Sequence, residues 1–359
     1  MTDKLNLIGL TEEQLREKIL QIGGKAFNSK QIYNWLYVGG ARDFDSMTNI
    51  SKALRALLAK NYSINRPEIS KDLISSDGTR KWLLKFSDNN EIETVFIPEA
   101  RRGTLCISSQ IGCTLTCKFC HTGTQLLVRN LTASEIISQI MIAKDLLEDW
   151  KKPDKSLITN IVFMGMGEPF FNYDNVIKAI KILNDRNGLN FSRRRITVST
   201  SGLVPQIISF ADEIKTDLAI SLHATNDTLR NEIMPINKKY PLTELFNACK
   251  YYNQINPSQK ITFEYVMLNE VNDSDIDAKN LIKLIKEYEL TAIVNLIPFN
   301  SWCGTKYKCS SRNRIMAFKK IIETAGIRAP IRKTRGQDVM AACGQLKSET
   351  IRVRKNNCN

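Results

Sequence analysis

Three cysteines stand close together in the sequence, at Cys113, Cys117 and Cys120, with the spacing C-x3-C-x2-C. Thiolates are the usual ligands of iron–sulfur clusters, and a four-iron cluster normally takes about four of them. A loop that supplies only three leaves one iron open to a ligand that is not protein. Such an iron can chelate the amino and carboxylate groups of a small molecule and pass it an electron, so the spacing predicts a redox centre.

Zinc is the competing interpretation of the same three residues. Zinc sites usually come as two separated cysteine pairs, and the sequence has no second C-x2-C pair. The chain has nine cysteines, and the cytoplasm keeps thiols reduced, which favours metal binding or catalysis where they cluster. We expect a cytoplasmic protein because the first twenty residues include acids and lack the apolar core of a signal peptide. No run approaches the ~18 apolar residues of a membrane helix, so no membrane partner is expected.

The chain carries a large surplus of positive charge. Its 51 Lys and Arg residues against 37 Asp and Glu residues give a formal net charge of +14. Such a surplus favours a polyanionic partner because each neutralised phosphate releases counterions. A basic surface without a partner would give the same composition, but nucleic acid is the stronger prediction.

The elements that must position these groups change in character along the chain. The first part is helical in pattern, with a capping box at 11–14 and further helices predicted at 29–37 and 51–62. Between residues 69 and 97, short alternating runs separated by turn signals predict a small β-meander. The expected units are a helical accessory domain at 1–66, the meander as a linker at 67–98, the main domain at 99–345 and a basic tail at 346–359.

From residue 103 the pattern is a strand followed by a helix, repeated six times. The predicted strands span 104–108, 158–164, 195–200, 217–222, 261–268 and 292–297. The predicted helices span 133–147, 175–183, 205–210, 227–233, 274–288 and 312–324. Such units imply a parallel sheet with helices outside it, and an open doubly wound sheet and a partial barrel both fit. In either fold, functional groups gather at the C-terminal ends of the strands.

The cysteine loop follows the first of these strands, and the run Gly165-Met-Gly-Glu-Pro169 ends the second. In this order the two motifs resemble the radical S-adenosylmethionine superfamily. The resemblance implies a [4Fe-4S] cluster that reduces bound S-adenosylmethionine to a 5′-deoxyadenosyl radical. It also implies an α/β fold of the superfamily's type, a partial (βα)6 barrel similar to a TIM barrel.

Five runs of the chain are similar to one family within that superfamily. They are Thr104–Gln110, Met164–Pro169, Ser221–Ala224, Met234–Tyr240 and Ala341–Leu346. The family is the dual-specificity adenine-C2 RNA methyltransferases, which act on large-subunit ribosomal RNA and on tRNA. Carbon 2 of adenine is too weak a nucleophile for direct methyl transfer, so the resemblance implies a radical route with two S-adenosylmethionine molecules per turnover. One methylates a cysteine by displacement, and the second gives the radical that takes a hydrogen from that S-methyl group.

The resemblance also implies roles for three residues outside the cysteine loop. Cys343 matches the methylated cysteine, whose methylene radical adds to carbon 2 and tethers the RNA to the enzyme. Cys106 matches the second cysteine, which forms a disulfide with Cys343 and frees the product. Glu93 matches the acid–base residue that removes the proton from carbon 2. Taken singly, each cysteine would be read as a small buried residue.

The family's contacts to S-adenosylmethionine fall on seven residues of this chain. They are Gly167, Glu168, Ser199, Ser221, Leu222, His223 and Asn300. Each lies at or just past the end of a predicted strand, where a barrel places ligand groups. His223 by itself could equally be a hydrogen-bonded structural histidine. His121, next to the last cysteine of the loop, is expected to play a supporting role at most.

RNA contacts are expected from three basic segments, 192–195, 237–239 and 332–335. The helical N-terminal region resembles the family's small RNA-binding domain. The resemblance further implies an external electron donor similar to flavodoxin or ferredoxin, and we expect a monomer. The remaining cysteines match no family motif: Cys249, Cys303, Cys309 and Cys358.

Two alternatives stay open. The related adenine-C8 ribosomal RNA methyltransferases share the cysteine loop and both reactive cysteines, but Pro169 and the run Lys333–Gly336 favour carbon 2. A non-catalytic, zinc-stabilised RNA-binding protein is the alternative of a different class. It would be colourless, whereas an iron–sulfur cluster would give a brown protein with broad absorption near ~400 nm.

Overall fold

The computed structural model describes residues 4–150 and 156–348. Its N-terminal part is a small helical unit. It contains β1 (Leu5–Asn6), α1 (Glu12–Gln21), α2 (Ala26–Tyr37), α3 (Lys52–Asn61) and β2 (Tyr62–Ser63). Thr11 and Gln14 form the predicted capping box at the start of α1. Helix α2 begins three residues before the predicted start, because the Asn28 side chain accepts the backbone N–H of Lys25 and caps the helix there.

The β-meander follows directly. It consists of β3 (Glu68–Ile74), β4 (Arg80–Lys85) and β5 (Glu91–Glu99), which pair antiparallel in chain order, as the turn signals predict. In this register Leu83 lies opposite Glu93, so residues 81 and 93 are diagonal neighbours on one face. The meander therefore brings side chains of β4 and β5 together on a face that the site uses.

Within residues 4–150 and 156–348, six parallel strands form the main part of the sheet. The six strands are β6 (Arg102–Cys106), β9 (Asn160–Phe163), β10 (Ile196–Thr200), β11 (Asp217–Ser221), β12 (Ile261–Met267) and β13 (Ala292–Pro298). A separate short pair, β7 (Gln110–Ile111) and β8 (Arg129–Asn130), lies between β6 and β9 in the sequence. Their order in the sheet is sequential, whereas a doubly wound sheet reverses its order at a switch point. The chain thus forms a partial (βα)6 barrel. Strand β5 pairs antiparallel with β6, so the meander and the barrel share one nine-stranded sheet.

In the described residues, seven helices pack around the barrel. They are α4 (Ala133–Leu146), α5 (Tyr173–Asn184), α6 (Val204–Glu213), α7 (Asp227–Ile233), α8 (Leu242–Ile255), α9 (Asp275–Glu287) and α10 (Arg312–Thr324). Helix α8 is absent from the six predicted helices. It adds a buried apolar face between β11 and β12, and Cys249 is fully buried on it. No helix in the described part of the chain is long and apolar enough to cross a membrane.

The open edge of the barrel at β13 is extended by the chain that follows α10. The backbone N–H groups of Val294 and Leu296 donate to the carbonyls of Arg328 and Pro330, both at 2.9 Å. The N–H of Arg332 then donates to the carbonyl of Leu296 at 2.8 Å. This pairing directs residues 333–348 back across the C-terminal ends of the strands.

The helical unit contacts the barrel through α4. A Cβ atom on Gly9, whose φ is +85°, would lie 2.4 Å from the backbone of Ser134, so only glycine fits there. The partly buried Arg66 forms an ion pair of 2.6 Å with Asp145 on α4. The domain limits given above stay a prediction. Cys358 and most of the basic tail lie outside the described residues.

Candidate active site

A cavity of about 170 Å³ lies at the C-terminal ends of the barrel strands. We call it the first cavity. Its wall includes all three cysteines of the C-x3-C-x2-C loop, together with Gly167, Glu168, Ser199, Ser221 and His223. Groups that are distant in sequence therefore meet at the end of the barrel where the strand pattern places them.

The three cysteines of the loop are partly buried and face one space. Burial raises the pKa of Cys113 well above its ordinary value, and the neighbouring Cys117 and Cys120 thiols raise it further. Three thiolates would repel one another here unless a positively charged group lay between them. Within the described residues, no three His, Cys, Asp or Glu side chains are arranged to hold one metal ion. A soft, thiolate-only donor set of three fits an iron–sulfur cluster with an open iron.

The glycine run at the end of β9 brings a carboxylate to the cavity wall. Gly167 has φ +96°, and a Cβ atom there would lie 2.5 Å from the side chain of Gln110. Glu168 is buried, and its two oxygens accept the backbone N–H groups of Phe170 at 3.1 Å and Ser201 at 2.8 Å. Burial raises the pKa of Glu168. Each oxygen keeps a lone pair that can accept a hydrogen bond from a ligand ammonium.

His223 stands beyond β11 in the left-handed region, with φ +59°. Its Nδ1 accepts the backbone N–H of Val266 at 3.0 Å, which leaves the proton on Nε2. Burial, and then the charge of Arg230, lower the pKa of His223 to about 3. The ring is therefore neutral, packs edge-on against Phe119 with centroids 4.5 Å apart, and lines the first cavity.

Two of the residues expected to contact S-adenosylmethionine lie elsewhere. Leu222 is buried, and its backbone N–H donates to the carbonyl of Glu264 at 3.1 Å. Asn300 donates to the backbone carbonyl of Cys343 at 3.2 Å and lines a different cavity. The structure thus brings five of the seven residues to the first cavity, and Leu222 and Asn300 support neighbouring segments.

Arg230 is a central residue that the sequence analysis missed. It is fully buried on α7 and donates to the carbonyls of Ser201, Ser221 and Leu222 at 2.7, 3.0 and 3.0 Å. It also donates to Asn237 at 2.7 Å, so Asn237 is a buried structural residue within the basic segment 237–239. The one sequence feature that could have indicated this role is the position of Arg230 on the apolar face of the short helix α7.

Cys343 lies on a covering segment, residues 336–348, and its side chain is exposed. The covering segment is hydrogen-bonded to His121 and Thr122, the two residues that follow the cysteine loop. The N–H of His121 donates to the carbonyl of Gly344 at 2.8 Å, and the Thr122 hydroxyl donates to the carbonyl of Leu346 at 2.5 Å. The His121 ring stacks on Trp302 with centroids 4.7 Å apart. His121 therefore supports the covering segment.

Cys106 and Glu93 sit on neighbouring strands beneath this segment. Cys106 pairs with Val95 across β5 and β6 and is partly buried. Burial and then the nearby Cys343 thiol raise its pKa to about 12. Glu93 is buried, and one of its oxygens forms an ion pair of 2.8 Å with Lys81. Burial raises the pKa of Glu93, and Lys81 opposes that shift.

A second cavity of about 500 Å³ opens on the other side of Cys343. We call it the second cavity. It has a strongly basic wall, to which the chain contributes Arg102, Arg328, Arg332, Lys333 and Arg335. Cys343 and Arg332 line both cavities. The charges of Cys343, Glu264 and Cys106 raise the pKa of Arg332, which keeps a fixed cation beside both cysteines.

Comparisons with protein families match most of the chain. Residues 5–64 match the family described as the ribosomal RNA large subunit methyltransferase N-terminal domain. Residues 107–282 match the radical SAM superfamily. The two matches fall on the helical unit and on the greater part of the barrel.

Curated relatives are similar over nearly their whole length. One from Ruegeria pomeroyi, named dual-specificity RNA methyltransferase RlmN, is 54% identical and covers 98% of this chain and 92% of its own. A relative of the same name from Zymomonas mobilis is 52% identical, covering 99% of this chain and 92% of its own. A crystal structure of a radical SAM methyltransferase from Sphaerobacter thermophilus superposes with a TM-score of 0.90 at 41% identity, covering 96% of this chain and 100% of that one.

Proposed function

The chain belongs to the family of dual-specificity RNA methyltransferases of the RlmN type, and from this premise we propose how its own residues carry the reaction. It is a radical SAM RNA methyltransferase that acts on ribosomal RNA and tRNA, and the finer proposal is that it methylates carbon 2 of an adenine. The observation that supports this proposal most is the position of Cys343. The exposed thiol of Cys343 lines both the first cavity and the basic second cavity. Family membership sets aside the zinc-stabilised, non-catalytic alternative.

The cofactors are a [4Fe-4S] cluster and S-adenosylmethionine. When bound, they supply an activated methyl group and a 5′-deoxyadenosyl radical. Cys113, Cys117 and Cys120 would hold the cluster. Glu168 would accept the ammonium group of S-adenosylmethionine, and the Nε2 proton of His223 would donate to a polar atom of the same molecule. Gly167 keeps the strand end close enough to Gln110 to leave this space open.

Cys343 is the proposed methyl carrier. Its exposed thiol can accept a methyl group by displacement. Meanwhile the covering segment is held by hydrogen bonds from Asn300 to the carbonyl of Cys343 and from His121 to the carbonyl of Gly344. Once that methyl group has lost a hydrogen atom to the 5′-deoxyadenosyl radical that the cofactors would supply, its methylene carbon bonds to carbon 2 of the adenine in the second cavity. The adduct would return its unpaired electron to the cluster. Arg332 lines the cavity wall beside Cys343, and its positive charge opposes the rise that burial causes in the pKa of Cys106.

Glu93 and Cys106 complete the proposed sequence. Glu93, held as a carboxylate by Lys81, removes the proton from carbon 2. The thiolate of Cys106 then attacks the sulfur of Cys343, so that a disulfide forms and the sulfur–carbon bond to the RNA breaks. The electron pair of that bond stays with the methylene carbon, which takes up a proton and becomes the methyl group on carbon 2. The influence of the Cys343 thiol on the pKa of Cys106 supports their proximity.

The RNA is proposed to enter through the second cavity. Its wall carries Arg332, Lys333 and Arg335, three residues of a predicted basic segment. Arg193, Arg194 and Arg195 are exposed and are available to phosphates elsewhere. The target adenine must leave its stack to reach Cys343, so the RNA is locally unpaired or distorted. A flavodoxin-like or ferredoxin-like electron donor and a monomeric enzyme are further parts of the proposal.

The decisive experiment is mass spectrometry of the Cys343 peptide from anaerobically purified protein, combined with iron and sulfide analysis. A methyl group on Cys343, in protein with about four irons per chain, is the expected result. An unmodified Cys343 in cluster-loaded protein supplied with S-adenosylmethionine would rule out the carrier role. Nucleoside analysis of digested product RNA then distinguishes carbon 2 from carbon 8.

A further inference from the structure

Lys81 on β4 makes two contacts that join otherwise separate parts of the site. Its ammonium group forms an ion pair with Glu93 at 2.8 Å and donates to the backbone carbonyl of Met340 at 3.1 Å. Both charged side chains are almost completely buried, at 6% and 3% exposure. A buried lysine is costly unless it is paired and hydrogen-bonded, and these two contacts satisfy that requirement.

The carboxylate of Glu93 makes the complementary contact on the far side of Cys343. Its second oxygen accepts the backbone N–H of Lys347 at 2.8 Å. The ion pair therefore contacts the covering segment three residues before Cys343 and four residues after it. These two contacts connect the covering segment to the proposed base, Glu93, directly at Lys347 and through Lys81 at Met340.

We propose that Lys81 is a positioning residue that fixes the carboxylate of Glu93 relative to the segment carrying Cys343. This inference rests on the proposed roles of Glu93 and Cys343. The same ammonium group holds the base in one orientation and anchors the segment that bears the methyl carrier. Lys81 thus helps to set the placement of the base relative to an adenine attached to Cys343, together with the N–H of Lys347.

The charge of Lys81 has a second effect on the base. Burial raises the pKa of Glu93, whereas Lys81 and the N–H of Lys347 lower it, and Glu91 raises it slightly. Glu93 acts as a base only when it is ionised, so the rate rises as the pH rises through its pKa. Removal of the Lys81 charge raises that pKa, and the acid limb of the pH–rate profile moves to higher pH.

The test compares K81M, K81Q and K81R with the wild type in full-length, cluster-loaded enzyme under single-turnover conditions. K81M and K81Q should lower product formation by at least about tenfold, a part of the roughly 10²- to 10⁴-fold that a general base contributes, and should shift the acid limb to higher pH. K81R keeps the positive charge, so the acid limb of its pH–rate profile should lie at the wild-type position. Hydrogen exchange at the Lys347 amide should be faster in K81M. K85M, on the same strand, is the matched control and should change none of these readouts.

Two results would overturn the proposal. One is wild-type turnover and pH dependence in folded K81M or K81Q. The other is a lower rate with an unshifted limb and unchanged Lys347 exchange, which would mark Lys81 as merely structural. K81Q covers the case in which K81M does not fold. The proposed function fails separately, through an unmethylated Cys343 in the wild type or full turnover in E93Q.

Discussion

The guanidinium group of Arg230 donates to the carbonyl of Ser201 at 2.7 Å, joining α7 to the end of β10. The same side chain bonds to the end of β11 through the carbonyl of Ser221. One buried arginine thus fixes the spacing of two strand ends that form the wall of the first cavity. It also lowers the pKa of the nearby Cys117 thiol, which opposes the effect of burial.

Substitution R230M is expected to reduce the free energy of unfolding by about 3 kcal/mol or more, because several buried acceptors lose their donor. Chemical denaturation under anaerobic conditions measures this change. The control R186M alters an exposed arginine and should shift stability by no more than about 0.5 kcal/mol. Equal stability of the two variants would show that the hydrogen bonds of Arg230 contribute little.

His223 makes the protein less stable in acid. Its folded pKa of about 3 lies below the unfolded value of 6.5, so the unfolded state binds more protons between these limits. Stability is therefore lost as the pH falls below that unfolded value, by about 2 kcal/mol at pH 5. In H223N, asparagine tolerates the positive φ and can accept the N–H of Val266. Denaturation curves at pH 7 and pH 5 should show the smaller loss in H223N, whereas H121N should behave nearly as the wild type.

The cysteine loop can be tested by iron content. C120A should lose most of the iron and the broad absorption near ~400 nm, because two thiolates do not retain a four-iron cluster. C249A removes a buried thiol outside the loop and should keep the cluster, with a loss of about 1 kcal/mol in stability. Full iron content in C120A, with wild-type absorption, would contradict the assignment of this ligand.

The second cavity can be tested by RNA binding. Lys333 is exposed and lines this cavity, so K333Q should weaken binding and reduce the salt dependence of the affinity by about one counterion. Methylation of Cys343 should be unchanged, since it needs no RNA. K320Q, on the outer helix α10, should leave the salt dependence unaltered. The same salt slope in both variants would place the RNA elsewhere.

Local sequence patterns predicted much of this architecture. The six parallel strands were predicted within a few residues, because apolar β-rich runs bounded by turns need no tertiary information. The cysteine loop was equally accessible, since its three residues lie within eight positions. The predicted series of strand–helix units did not include helix α8, although Pro241 precedes it and its apolar spacing is regular.

Long-range contacts account for what the sequence could not predict. Lys81, Glu93 and Lys347 meet only because β4 and β5 pair in one register and the chain end folds back over them. The role of Arg230 is recognisable only when the positions of the two strand ends to which it donates hydrogen bonds are known. The roles given to Cys106 and Cys343 came from family resemblance, because nothing in their 237-residue separation indicates proximity.

The covering segment also implies an order of assembly. Its carbonyl groups at Gly344 and Leu346 accept bonds from His121 and Thr122, directly beside the third cysteine of the loop. The ribosome synthesises this segment after every strand and helix of the barrel. The three cysteines are thus already in the nascent chain while their cover is still absent. Delivery of iron and sulfide to the newly made protein has its least obstructed access in that interval.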